Sequence, residues 1–183
     1  MRFSFPAALA ALLLTLAATA SAADEDGYDL WLRYRPLDHA AQASVQAQAR
    51  SIVLPGAPSP TTQAAVAELQ KGLGGMLGKP AGQAGILASR ITDGALLLAT
   101  PARLPELASA ASPLRAELAA LGGEGYLLRQ TRIQNHNVTL IAANTDIGLL
   151  YGAYAWLRNA RHRRETGSVI LAQAGAAPAE SLG

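Results

Sequence analysis

The sequence predicts an α+β domain: a mixed β-sheet with its helices mainly on one face. Three observations carry that expectation. Candidate elements follow one another in the order strand, helix, strand, hairpin and helix, which suits a sheet covered by its own connections. The run Leu96-Leu97-Leu98 is apolar on both faces, as an interior strand is. The segment Asn144 to Ala160, NTDIGLLYGAYAWLRNA, has helical spacing and almost nothing polar on any side, so it needs cover all round.

Residues 1–22 read as an export address. Arg2 gives a short positive start, Ala7 to Ala18 an apolar stretch, and Ala20-Ser21-Ala22 the small-residue pattern that a signal peptidase accepts, so cleavage is expected after Ala22. A membrane anchor is the competing reading, but the stretch falls short of the roughly 20 residues that span a bilayer. Acidic Asp24, Glu25 and Asp26 also follow at once. The expected location is therefore secreted or periplasmic, with no membrane partner after cleavage.

In the mature chain, Tyr28 to Tyr34 alternates as a strand or extended arm does, and Pro36 ends it. Leu37 to Arg50, rich in Ala and Gln, is compatible with helix or with surface linker. Ser51 to Leu54 is a short strand closed by Pro55-Gly56. Ser59-Pro60 reads as N-cap and first helical residue, and Val66, Leu69, Leu73, Met76 and Leu77 recur at helical spacing up to Gly78. Two apolar runs, Gly85 to Ser89 and Ala95 to Ala99, flank the turn Thr92-Asp93-Gly94. Leu104 to Ala111 and Pro113 to Leu121 are short helical candidates. Tyr126 to Ile133 and Val138 to Ala142 make an antiparallel hairpin across Gln134-Asn135-His136-Asn137.

The last helix is capped by side-chain oxygens of Asn144, Thr145 and Asp146, and Asp146 suits the positive end of its dipole. Ile147, Leu150, Tyr151, Tyr154 and Leu157 make one apolar face; Leu149, Ala153 and Trp156 make a second. Gly148 and Gly152 form a groove for close backbone approach. Two readings are open: a helix buried in its own domain, or one with one face on this domain and the other on a partner domain.

Composition narrows the function. The chain has 183 residues, about half of them apolar, enough for one globular core. Arg2 aside, 14 basic and 13 acidic residues nearly cancel, which argues against nucleic acid or an anionic membrane surface as the main partner. There is no cysteine, so neither disulfides nor thiolate ligands enter.

No site is expected for a metal or a cofactor, and no catalytic residue stands out. His39, His136 and His162 lie far apart and none belongs to a metal-ligand pair. A nucleophile elbow and a phosphate loop are both missing; Gly72, Gly74, Gly75 and Gly78 are expected to loosen and end a helix. Glycoside hydrolysis uses two carboxylates. Glu124 and Asp146 are the available pair, but Glu124 lies in a glycine-rich turn and capping accounts for Asp146. Trp31, Arg33 and Tyr34 are compatible with a sugar-stacking surface or with core packing. The cluster Arg158 to Arg164 reads as a solvated helix end facing the negative dipole pole.

Three separated segments carry a resemblance: DGYDLWLRYRPL at Asp26 to Leu37, DGALLLATP at Asp93 to Pro101 and TDIGLLYGAYAWLR at Thr145 to Arg158. Together they resemble, in order, the N-terminal domain of microbial alpha-glucuronidases of glycoside hydrolase family 67. The helix alone is more loosely similar to the accessory domain before the barrel in beta-N-acetylhexosaminidases. The resemblance runs from about Asp24 to Arg158 and implies an accessory domain over residues 23–160. It further implies an intact enzyme that removes 4-O-methylglucuronic acid from xylo-oligosaccharides, with inversion and without a cofactor.

Residues 161–183 depart from the family pattern. The Asn-His-Trp-Asp motif that should open the first barrel strand is not there, and a barrel takes on the order of 200 residues or more. A premature stop, a frameshift or a gene fragment would each produce this end. The expectation is thus an accessory domain without its own activity, meeting xylan-derived substrate only through a barrel. The alternative is a stand-alone exported module that binds carbohydrate or protein. Self-association through the last helix is expected.

Overall fold

The computed structural model describes residues 34–81, 83–166 and 173–175. The segment expected to be an export address, Trp31, Arg33 and most of residues 161–183 therefore lie outside the described residues. Helix α1 (His39–Gln48) comes first, then β1 (Ser51–Val53), α2 (Pro60–Leu77), β2 (Ile86–Ala88) and β3 (Ala95–Ala99). A 3-10 helix (Pro105–Ala108) and the short α3 (Arg115–Ala120) lead into β4 (Tyr126–Ile133) and β5 (His136–Ala143). Helix α4 (Asp146–Thr166) and β6 (Gln173–Gly175) follow.

The strands make one sheet in the order β2-β1-β3-β5-β4-β6. Pairs β1–β2, β1–β3 and β3–β5 are parallel, whereas β4 runs antiparallel to β5 and β6. The mixed sheet is thus as expected, and β3 is the interior strand that Leu96-Leu97-Leu98 predicted, buried at all five positions.

Side-chain alternation divides the core into two layers. Ile52, Leu96, Leu98, Leu128, Ile141 and Ala143 point into a layer filled from α1, α2 and α4. Val53, Leu97, Leu127, Leu140 and Ala142 point the other way, where the 3-10 helix and α3 region supply thinner cover through Leu107, Leu114 and Leu118. Helices therefore lie mainly on one face. On the thinner side, α3 is fixed by a two-point ion pair in which Arg129 donates to Glu117 at 2.8 and 2.7 Å.

Local chemistry explains most boundaries. Ser59 caps α2 in a capping box: its Oγ accepts from Thr62 N–H at 3.2 Å, and Thr62 Oγ1 accepts from Ser59 N–H at 2.9 Å. Gly78 ends that helix in the left-handed region at φ 63°. The Ala- and Gln-rich stretch resolves as helix, because Asp38 accepts from Ala41 N–H at 2.8 Å and Val45 finds a buried place.

Four expectations need correction. The hairpin loop is Gln134-Asn135 alone, both at positive φ, so β5 begins at His136 rather than Val138. The candidate helix 104–111 shrinks to one 3-10 turn. Helix α4 runs on to Thr166, past Ala160. The glycine cluster does more than end α2: a Cβ on Gly72 would collide with Leu157 of α4. That glycine lets two helices touch.

Gly148 and Gly152 perform the same service against the sheet. A Cβ on Gly152 would stand 2.5 Å from Ile141 Cγ2, and one on Gly148 would meet the Gly125 carbonyl at 2.5 Å. The groove therefore packs on the β4–β5 hairpin. Leu149, Ala153, Trp156 and Leu157 are buried with it, each of the larger ones adding about 1.5–3 kcal/mol of burial as an upper figure. Leu157 thus leaves the face assigned to it by spacing. The outward stripe is Ile147, Leu150, Tyr151 and Tyr154, of which Tyr151 is exposed and the others half-buried.

Candidate functional site

Parallel strands bring their carboxyl ends to one edge of a sheet, and in open α/β sheets ligands gather there. Here the segments after β1, β3 and β5 meet at that edge. Arg103, four residues beyond β3, donates from Nε to Asp146 Oδ1 at 3.2 Å and from Nη2 to Asp146 Oδ2 at 3.1 Å. Its Nη1 donates to the carbonyls of Pro55 at 3.2 Å and Ala57 at 2.6 Å, in the segment after β1. Four of five guanidinium N–H groups are engaged. Ser59 Oγ adds a donor to Asp146 Oδ2 at 2.7 Å.

The cluster ties three elements at one point: the N-terminus of α2, the segment after β3 and the N-terminus of α4. Asp146 is the hub. Its carboxyl is held below the usual range first by the Arg103 hydrogen bonds, with Ser59 assisting and partial burial opposing. Such a carboxylate is a poor proton donor near neutral pH. With both oxygens occupied, its role is to lock the edge.

The capping expectation for α4 is therefore corrected. Thr145 caps, its Oγ1 accepting from Gly148 N–H at 3.3 Å and donating to the Gly123 carbonyl. Asn144 instead donates to the carbonyls of Leu118 and Leu121, both at 2.8 Å, fastening α3. Only one of the three oxygens caps.

Glu124 is exposed in its turn and belongs to none of the ion pairs among the described residues. The structure does not join it to Asp146. Tyr34 lies along α2, donating to Glu68 Oε1 at 2.8 Å with its ring beside Gly72, so it is a packing residue. Arg158 and Arg161 are exposed on the last turns of α4, consistent with a solvated end.

His136 Nδ1 sits 3.6 Å from Asp93 Oδ2, while Asp93 Oδ1 accepts from Asn137 N–H at 2.7 Å, so Asp93 pins the turn before β3 to the hairpin. That backbone hydrogen bond is the chief reason the Asp93 carboxyl is lowered. Among the described residues no three His, Asp or Glu converge as metal ligands, and no helix is long and apolar enough to cross a membrane.

Sequence reasoning missed Arg103. A single arginine after Pro101 has no local signal, since its partners lie 43 and 46–48 residues away. Ser59 was legible as a cap, but its second bond was not.

A mixed sheet with helices mainly on one face and a structural ion-pair cluster at its carboxyl edge defines an α+β domain. The family model described as the Glycosyl hydrolase family 67 N-terminus matches residues 30–156, and the chain belongs to that family. The matched span includes Ser59, Arg103 and Asp146. No curated protein matches the chain.

Proposed function

We propose that this chain is the exported N-terminal accessory domain of a xylan-debranching alpha-glucuronidase and does not itself hydrolyse glycosidic bonds. The family match over residues 30–156 carries this reading. Its chemistry is consistent: an inverting glycosidase needs an acid and a base roughly 6.5–9.5 Å apart, and Asp146 is held as a paired carboxylate by Arg103. The domain acts as a rigid platform against a barrel.

The purified chain is expected to release no glucuronic acid from aldouronic oligosaccharides. Turnover that follows the protein through purification and disappears in Glu124→Gln or Asp146→Asn would overturn the proposal. N-terminal sequencing of protein from the exported fraction is expected to begin at Ala23. A mature protein beginning at Met1 would remove the export part.

The outward stripe of α4 favours a second reading, an exported module that binds a protein, carbohydrate or another copy of itself. Tyr151 is 40% exposed beside half-buried Ile147, Leu150 and Tyr154. Size-exclusion chromatography with light scattering tests self-association. A monomer at high concentration, with no binding of an apolar dye, would set it aside.

A further inference from the structure

The two edges of the sheet are not alike. At one edge β6 pairs with Tyr126, Leu127 and Leu128 of β4, and the rest of that strand carries Arg129 and Arg132, charges that discourage pairing with another chain. At the other edge β2 pairs only with β1, setting Ile86 beside Ser51, Leu87 beside Ile52 and Ala88 beside Val53. Its outer N–H and C=O groups meet no further strand among the described residues. The strand holds neither a charge nor a proline, the usual devices that blunt an edge.

The β2 edge is apolar on both faces and held in place. Ile86 is 60% and Leu87 54% exposed, and as neighbours on a strand they stand on opposite faces of the sheet. The start of the strand is fixed against the core: a Cβ on Gly85 would stand 2.8 Å from Leu73 Cδ1 and 2.9 Å from Ile52 Cδ1. Gln70 Nε2 also donates to the Gly85 carbonyl at 3.2 Å. A partner strand would therefore meet an edge already in shape, with little ordering left to do.

Charge selects the occupant. No Asp or Glu occurs from Lys79 to Thr92, whereas Lys79 and Arg90 are exposed and neither belongs to an ion pair among the described residues. The Pro80 carbonyl accepts from Gln83 N–H at 2.9 Å and Ala84 N–H at 3.2 Å, a turn that keeps Lys79 near the start of the strand. Arg90 lies just past its end. A second copy joined edge to edge in the antiparallel sense would set Lys79 of each chain toward Arg90 of the other, cation against cation. An extended segment with carboxylates at its ends would instead meet both cations with opposite charge.

We propose that the β2 edge takes an extended acidic segment of another protein as an added strand. Backbone hydrogen bonds to the outer groups of β2 hold it, its apolar side chains cover Ile86 and Leu87, and its carboxylates face Lys79 and Arg90. This edge is separate from the outward stripe of α4. The proposal does not depend on the accessory-domain reading, which stands or falls on hydrolysis and export.

The test is titration of the full chain with three synthetic peptides, followed by amide NMR shifts and calorimetry. The first has the core Thr-Val-Val-Val-Thr with two glutamates at each end; the second carries lysines in place of the glutamates; the third has proline as its middle residue. The glutamate peptide is expected to bind and to shift the amides of Ile86, Leu87 and Ala88. The lysine peptide should bind on the order of tenfold more weakly, and the proline peptide, which lacks a backbone donor and breaks the strand, should not bind. Arg90→Glu, an exposed change, and Leu87→Thr, which keeps strand preference, should each weaken the glutamate peptide on the order of tenfold, with denaturant midpoints reporting that both variants are folded. No shifts at millimolar peptide, shifts centred elsewhere, equal binding of the glutamate and lysine peptides, or binding unchanged in either variant would overturn the proposal. So would a dimer of the free chain that Leu87→Thr dissolves, because a second copy would then be the occupant.

Discussion

Arg103 and Asp146, 43 residues apart, meet through two hydrogen bonds, Nε to Oδ1 at 3.2 Å and Nη2 to Oδ2 at 3.1 Å. The Arg103 side chain is 12% exposed and Asp146 32%, so the pair stands between a surface ion pair and a buried one. Removing one partner leaves a partly desolvated charge and frees three chain segments from one another. Arg103→Met is expected to cost about 1–3 kcal/mol, between the exposed and buried limits. Urea midpoints measure it; a variant as stable as the parent would show that the pair contributes nothing net.

The same pair sets an acid limit. Asp146 titrates below its ordinary 3.8 in the folded protein, so between the two values the unfolded chain binds more protons. The contribution of Asp146 is therefore fully present above pH 3.8 and is lost as pH falls through the folded value. Stability measured from pH 6 to 2.5 should fall less steeply over the acid limb in Asp146→Asn than in the parent. Parallel curves would detach Asp146 from the acid transition.

Gly152 faces Ile141 closely enough that even a Cβ would stand 2.5 Å from Cγ2. Gly152→Leu is expected to destabilise the domain by roughly 1–3 kcal/mol through overpacking. An unchanged denaturant midpoint would mean that α4 re-seats on the hairpin without strain.

Tyr34 connects the chain entering the domain to α2 by its bond to Glu68, which is only 6% exposed. Tyr34→Phe removes the donor and keeps the ring, so the expected loss is about 1–2 kcal/mol. Thermal unfolding compares the two proteins, and equal midpoints would show that Glu68 is satisfied without Tyr34.

Local patterns foretold more of the fold than of its polar cluster. The capping box at Ser59, the doubly apolar β3 and the long apolar α4 each depend on residues within a few positions of one another, and each was legible. The Ala and Gln residues of α1 carry little periodicity and are compatible with helix or linker; Asp38 and the burial of Val45 decide it in the folded chain. The turn Gln134-Asn135 lacks glycine, so the residues gave no sign that both adopt positive φ.

By itself the sequence determined the periodicities, the cap at Ser59 and the order of elements, and hence a mixed sheet with helices mainly on one face, because these rest on short-range sterics and hydrogen bonds. It also carried the family resemblance. The tertiary structure alone decided which side chains meet: Arg103 with Asp146, Gly72 with Leu157, Gln48 with the polar end of the hairpin. Those meetings join residues tens of positions apart, and their energies exist only once the sheet has brought the segments together.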